Sequence, residues 1–181
     1  MRSNARRAST PAPVKPVTKR LTEFHRRAIA TIGFANPVVA VELPAIRLTA
    51  YASYLIIISM ATPVTVYATD EFAEWYDGLE ERHRERVSAC VDLLEQMGIS
   101  LGFPYSSAID GSNLALRELR IQSHGHAIRV FYAFDPRRDA VVLIGGDKTG
   151  ISGDRFYREY IPQAERILRE YLTEIEEEDD G

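Results

Sequence analysis

The stretch "LALRELRIQSHGHAIRVFYAF", residues 114–134, decides how the rest of the sequence is interpreted. Apolar residues alternate with others on both sides of a Ser-His-Gly-His turn, which is the pattern of two β-strands joined by a short connection. We expect these strands over 114–122 and 127–135. A third strand, 139–145, follows the turn formed by "PRRD". Three consecutive strands joined by tight turns predict an antiparallel meander.

Charged residues occur inside these half-buried strands. Because side chains of a strand alternate between its two faces, Glu118 and Arg120 should share one face while Arg117 lies on the other. In the next strand, Arg129 shares its side with the apolar Phe131. Neither face is cleanly polar. At least one guanidinium must therefore lie among core residues or at the margin of the covered face.

The segments around the meander complete an α+β pattern. A strand is predicted over 63–68, a helix with a Thr/Asp cap over 69–79, a second helix over 80–98 and a final helix over 154–177. A Gly/Pro/Ser-rich connection fills 100–113. The resulting order is β-α-α-β-β-β-α. We expect an antiparallel sheet with the helices packed over one face, which leaves all or part of the other face for water or a partner.

The cysteine and histidine content limits the chemistry. The single Cys90 excludes an internal disulfide framework and fits a reducing cytosol, and its helical apolar surroundings predict a buried side chain. No CxxC, HExxH or paired His/Cys spacing occurs, so no metal site and no cofactor are predicted.

The two ends of the chain differ from its centre. Residues 1–59 hold nine Lys/Arg and two Glu, and 1–20 are rich in Pro, Ser and Ala, which predicts a disordered extension. The apolar run 48–61 is too short for a transmembrane helix. Three interpretations stay open: an upstream extension before a true start at Met60, a regulatory or targeting segment, or part of the fold. Residues 60–173 form the predicted domain, and 174–181 an acidic tail.

The strand arginines have two competing interpretations. In one, Glu118 simply pairs with Arg120 or with a residue of a neighbouring strand in a structural ion-pair network. In the other, Arg120 and Arg129 form an anion site together with Lys148, which follows the last strand in "GGDKTGISGD". Glycines there allow a ligand to approach the backbone closely. The spacing is not that of a P-loop.

The blocks "LRELR", "GHAIRVFYAFD", "AVVLIGGDKTG" and "RFYREYIPQAERIL" resemble the RelE/HigB superfamily of toxins from bacterial type II toxin–antitoxin modules. The resemblance covers roughly 62–172 and is strongest to the phage-derived HigB-like branch. It implies a small cytoplasmic ribonuclease that cuts mRNA on the ribosome without a metal. It also implies a cognate antitoxin partner, often a helix-turn-helix protein, and no membrane association.

The resemblance also assigns residues. Arg120 and Arg129 match the strand arginines of the family, and Lys148 matches the basic residue after the last strand. These groups, with Glu118, are the predicted catalytic set, in which Glu118 is either a general base or the residue that orients Arg120. Arg117, Tyr157 and His126 are the predicted substrate-binding residues.

Aromatic and histidine side chains supply further candidates. Bases of single-stranded RNA often stack on aromatic rings, and the tyrosines near the predicted site are Tyr105, Tyr132, Tyr157 and Tyr160. His124 and His126 flank Gly125 in the turn, whereas His83 is predicted on a charged, exposed helix face.

A different function remains open on the same fold. Residues 60–173 carry thirteen basic and eighteen acidic residues, whereas RNA binding depends heavily on positive charge. ParE-like relatives share the fold and poison gyrase. The alternative is therefore a non-catalytic protein, either a gyrase poison or a degenerate toxin, that acts through protein binding. A membrane-tethered or exported form is a third possibility, which requires insertion of residues 48–61.

Overall fold

The computed structural model describes residues 18–20 and 62–179. Its helices are α1 (Asp70–Asp77), α2 (Glu81–Met97) and α3 (Gly153–Asp179), with a 3-10 turn at Gly98–Ser100. Its strands are β1 (Thr18–Arg20), β2 (Val66–Thr69), β3 (Ser106–Ala108), β4 (Arg117–Ser123), β5 (His126–Phe134) and β6 (Ala140–Asp147). The predicted α+β class is confirmed, and the elements of the predicted β-α-α-β-β-β-α order are all present; β1 and β3 are additional strands.

The strands form one mixed sheet in the order β1-β2-β6-β5-β4-β3. The predicted antiparallel meander is confirmed for β4, β5 and β6. Strand β2 runs parallel to β6, with Val66 opposite Ala140, so the sheet is mixed and not wholly antiparallel as expected. This pairing requires a crossover, which α1, α2 and the meander together provide.

Helices cover both faces of the sheet, so the expectation that they cover one face is wrong. On one face, α1 and α2 bury a core that includes Phe72, Val91 and Leu94. On the other, α3 packs through residues such as Phe156 and Leu168. The central strands therefore carry buried apolar side chains in both directions, which is why their sequences read as nearly continuous apolar runs.

Local capping fixes where α1 begins and where α2 ends. The Thr69 hydroxyl accepts a hydrogen bond from the Phe72 amide at 3.3 Å and donates one to the Leu143 carbonyl at 2.7 Å. It thus caps α1 and ties it to β6. Gly98 ends α2 with a φ of 52°, and a Cβ there would lie 2.5 Å from the Thr62 carbonyl oxygen. Glycine is required at this position.

The predicted N-terminal extension lies mostly outside the described residues. Within it, Thr18–Arg20 forms a short strand antiparallel to β2. The apolar run 48–61 lies outside the described residues, so the three interpretations of it stay predictions. Across residues 62–179, no helix is both long and apolar enough to cross a membrane.

Candidate functional site

Two arginines meet on the sheet face that α3 covers. In the register of β4 and β5, Arg120 lies directly opposite Arg129. Directly opposed residues of antiparallel strands project to the same face. Glu118, two residues from Arg120, projects to that face as well. The predicted alternation along β4 is therefore confirmed, and it brings both arginines and the carboxylate together.

Glu118 lies at the centre of this cluster and is buried. Its Oε2 is 3.5 Å from the Arg129 Nε and accepts a hydrogen bond from the Tyr157 hydroxyl at 2.8 Å. Its Oε1 accepts one from the Ser107 hydroxyl at 3.0 Å and lies 4.0 Å from the Arg120 Nε. A carboxylate held by two hydroxyls and two guanidiniums orients its neighbours. This arrangement favours the orienting role of Glu118.

Arg129 is only 5% exposed and has unused donor capacity. Its Nη1 donates to the Ile128 carbonyl at 2.9 Å. Its Nε is buried and, within residues 62–179, makes no hydrogen bond. The Glu118 Oε2 lies 3.5 Å from this Nε, so the interaction that holds the atom is the buried ion pair. Arg129 thus supplies the positive charge beneath the site, whereas Arg120, with 37% of its side chain exposed, reaches the surface.

Tyr157 of α3 links Lys148 to the cluster. The Lys148 Nζ lies 4.6 Å from the centroid of the Tyr157 ring, a cation–π distance. Burial raises the pKa of the Tyr157 phenol, and the hydrogen bond to the Glu118 carboxylate raises it further. The phenol therefore stays protonated at neutral pH and keeps donating to Glu118. Through Tyr157, the structure brings Lys148 to the same patch as Arg120 and Arg129.

The glycine pair that precedes Lys148 lets helices approach β6 on both sides. A Cβ on Gly145 would lie 2.3 Å from the Trp75 ring, and one on Gly146 would lie 2.5 Å from the Tyr160 ring. Gly146 also pairs with Arg129 in the sheet register. The absence of a side chain there lets Tyr160, and with it the first turns of α3, lie close to the arginines.

Arg117 is not part of the site, and its predicted substrate-binding role is not supported. It projects to the opposite sheet face, where its Nε donates to the Tyr132 hydroxyl at 3.0 Å. Its Nη2 donates to the Leu101 carbonyl and to the Ser106 hydroxyl, each at 3.3 Å. The period of two in β4 separates it from Arg120 and Glu118. Arg117 therefore links the edge of the sheet to the loop after α2 by hydrogen bonds.

His126 also lies away from the arginines. It shares the strand parity of Ile128, not of Arg129, and its Nδ1 is hydrogen-bonded to the Asp147 carboxylate. Its ring is 4.9 Å from the ring of His83. The expectation that His83 is exposed is wrong: it is buried and hydrogen-bonds the Ser123 hydroxyl at 2.8 Å. These histidines join α2 to the β4–β5 turn.

Comparison with known proteins shows the family of the chain. The family described as "Phage derived protein Gp49-like (DUF891)" matches residues 74–169, more than half of the chain. The matched range contains every member of the Arg120, Arg129, Lys148, Glu118 and Tyr157 cluster. The chain belongs to the Gp49-like family.

Two relatives of this Gp49-like chain come from Mycobacterium tuberculosis strain H37Rv. "Putative toxin HigB2" is 34% identical over 110 residues, which cover 60% of this chain and 54% of that protein. "Putative toxin HigB3" is 34% identical over 111 residues, which cover 61% of this chain and 95% of that protein. The chain thus spans about half the length of the first relative and nearly all of the second. The predicted HigB-like membership is confirmed. No solved structure matches the chain.

Some residues of the candidate site could not be identified from sequence. Ser107 lies in the Gly/Pro/Ser-rich connection but forms β3 and donates to Glu118. Phe103, from the same connection, places its ring 5.5 Å from the guanidinium carbon of Arg120. Three-residue strands carry too short a pattern to be recognised without their partner strand. Among the candidate tyrosines, Tyr132 is fully buried and cannot stack on a base.

The donor set of this Gp49-like chain is cationic. In the stretch 62–179, no group of three or more His, Cys, Asp or Glu side chains is arranged to hold a metal ion. The cluster instead presents two partly exposed cations, Arg120 and Lys148, beside the buried Arg129. Chemically, such an arrangement binds and stabilises an oxyanion.

Proposed function

We propose that this chain is the toxin of a type II toxin–antitoxin module and that it cleaves mRNA, in the cytoplasm and on the translating ribosome, by metal-independent phosphodiester transfer. The observation that carries the proposal is the pairing of Arg120 with Arg129 across two strands, with Lys148 linked to them through Tyr157 and Glu118. The names of the two relatives, "Putative toxin HigB2" and "Putative toxin HigB3", support the toxin role.

The reaction requires charge stabilisation above all. The ribose 2′-oxygen forms a bond to the adjacent phosphorus as the bond from phosphorus to the 5′-oxygen breaks. The 2′-hydroxyl loses a proton and the departing 5′-oxygen gains one. Negative charge therefore grows on the non-bridging and leaving oxygens. Fixed guanidinium and ammonium groups accelerate such a step because they bind the transition state more strongly than the substrate.

Residues of the cluster divide into two roles in this proposal. Arg120 and Lys148 reach the surface and contact the phosphate oxygens. Arg129 adds positive charge from beneath, where its Nε lies 3.5 Å from the Glu118 carboxylate. Glu118 and Tyr157 are positioning residues. Glu118 forms ion pairs with both guanidiniums. Tyr157 donates a hydrogen bond to Glu118, and its ring makes a cation–π contact with Lys148. Positions fixed in this way cost no reorganisation during the reaction.

The acidic balance of residues 60–173 is compatible with this role because local potential governs contact with a phosphate. Within the cluster, three cations surround one carboxylate. Much of the acidic charge lies elsewhere, for example along α3, where Glu165 pairs with Arg169 and Glu170 with Arg166.

A cognate antitoxin, expected to be a helix-turn-helix protein, is the proposed partner. This part of the proposal rests on the toxin descriptions of the relatives and on no residue of this chain. An antitoxin that silences the reaction would cover Arg120 and Lys148, the two cations accessible to solvent.

Induced expression in a bacterial host tests the proposal. The wild-type chain is expected to arrest growth and to cause mRNA cleavage, and Arg120→Ala is expected to relieve both. Arg86→Ala is the matched control, since Arg86 is exposed on α2, which packs on the opposite sheet face. Normal growth with folded wild-type protein present would contradict the toxin role. Arrest with intact mRNA and inhibited gyrase would favour the protein-binding alternative.

A further inference from the structure

Two aromatic side chains beside the cationic cluster are unusually exposed. Phe103 is 80% and Tyr105 50% exposed, and only one residue separates them in sequence. Single apolar residues on a surface need no explanation, but neighbouring exposed aromatics commonly mark binding sites. Neither ring contributes to the two hydrophobic cores.

The backbone aligns these aromatics with the arginines. The Arg120 amide donates to the Tyr105 carbonyl at 2.8 Å, which extends the pairing of β3 and β4 by one residue. Tyr105, Arg120, Arg129 and Gly146 therefore lie in one row across the sheet. At about 4.8 Å between strands, this row spans roughly 14 Å.

Phe103 contacts Arg120, the partly exposed arginine of this row. The guanidinium carbon of Arg120 lies 5.5 Å from the centroid of the Phe103 ring. The contact occupies one side of an otherwise exposed ring. A planar ligand can therefore stack on Phe103 or Tyr105 while its charged group is held by Arg120.

We propose that Phe103 and Tyr105 form a base-stacking subsite, which holds the unpaired nucleobase adjacent to the phosphate bound by Arg120 in single-stranded RNA. This inference rests on the proposed function and adds a recognition element to it. Nucleobases stack on aromatic rings with energies that depend little on sequence, and cations beside the ring grip the backbone. The combination of a cation and flat rings suits a nucleotide better than it suits an apolar peptide.

Cleavage by purified variants in a reconstituted translation reaction tests the subsite. We expect Phe103→Ala and Tyr105→Ala to lower kcat/KM by about 5- to 150-fold, equivalent to about 1–3 kcal/mol. The base preference beside the cut should also change. Phe103→Leu keeps apolar bulk but not the aromatic face, so its kcat/KM should fall almost as far as that of Phe103→Ala. Ile99→Ala is the control, because Ile99 is 75% exposed and precedes the aromatic pair.

If the wild type cleaves and both alanine variants keep its rate and base preference, the subsite proposal is overturned. The nuclease proposal then still stands. Weakened inhibition by the antitoxin with unchanged cleavage would also overturn it, because the aromatics would then serve the partner protein.

A binding measurement keeps the two proposals separable if the wild type fails to cleave. A 2′-O-methylated RNA oligonucleotide that carries 2-aminopurine resists cleavage and reports stacking by fluorescence quenching. Quenching by the wild type that is lost in Phe103→Ala would support the subsite even then. Binding without quenching, or no binding, would overturn it.

Discussion

Replacement of Arg129 by methionine tests whether the buried pair with Glu118 holds the site together. Arg129→Met keeps much of the apolar stem and removes the charge. Loss of one partner of a buried ion pair typically costs about 3–5 kcal/mol, because the other charge remains buried. Here the Glu118 carboxylate keeps two hydroxyl donors and a more distant guanidinium, so we expect the lower end, about 3 kcal/mol.

Urea denaturation measures this loss. With an m-value of about 2 kcal/mol/M, typical of a domain this size, a loss of 3 kcal/mol moves the midpoint down by about 1.5 M. Arg86→Met is the control for charge removal at an exposed position and should stay within about 0.5 kcal/mol of wild type.

A double variant separates pairing from packing. When both members of a buried ion pair become apolar, stability is often unchanged or higher. Glu118→Met combined with Arg129→Met should therefore recover at least half of the stability that Arg129→Met loses. A loss below about 1 kcal/mol in the single variant, or an additive loss in the double variant, would refute the reasoning.

The remaining predictions concern packing, thiol reactivity and alkaline pH. Gly146→Ala should destabilise the protein by about 1–3 kcal/mol in urea denaturation, because the new Cβ meets the Tyr160 ring. Gly102→Ala, which has open space around it, should leave the free energy of unfolding nearly unchanged. Burial raises the pKa of Cys90 to about 11, so at pH 8 a thiol reagent should modify the native protein about 100-fold more slowly than the urea-unfolded chain; equal rates would contradict the burial. Burial also raises the pKa of Tyr171. In the unfolded chain Tyr171 loses its proton at a lower pH than in the folded protein, so stability should fall as pH rises above about 10. Urea midpoints measured across pH should fall less steeply for Tyr171→Phe than for the wild type.

Period-two alternation in β4 and β5 was sufficient to assign faces. It predicted that Glu118 and Arg120 share a face opposite Arg117, and the structure confirms this. It could not reveal that Arg120 lies directly opposite Arg129, because register depends on the turn between the strands. The helix bounds differ from prediction by at most two residues at each end, since caps such as Thr69 and Gly98 are visible in sequence.

Long-range packing accounts for the other differences. The parallel pairing of β2 with β6 joins segments that are far apart in sequence, and the burial of the second sheet face depends on where α3 packs. No local pattern encodes either feature. His83 occurs in a highly charged sequence, yet it is buried because α2 packs against β4. Ser107 and Phe103 join the site only because β3 pairs with β4.

The cleavage rate on translated mRNA tests the central claim most directly. Wild-type protein, Arg120→Ala, Lys148→Ala and the Arg86→Ala control should be compared in one reconstituted translation reaction, after each is shown to be folded. We predict that Arg120→Ala and Lys148→Ala each lower the rate by about 10²- to 10³-fold, while the control stays at the wild-type rate. The account is contradicted if both site variants cleave at the wild-type rate. It is also contradicted if the folded wild-type protein leaves the mRNA intact.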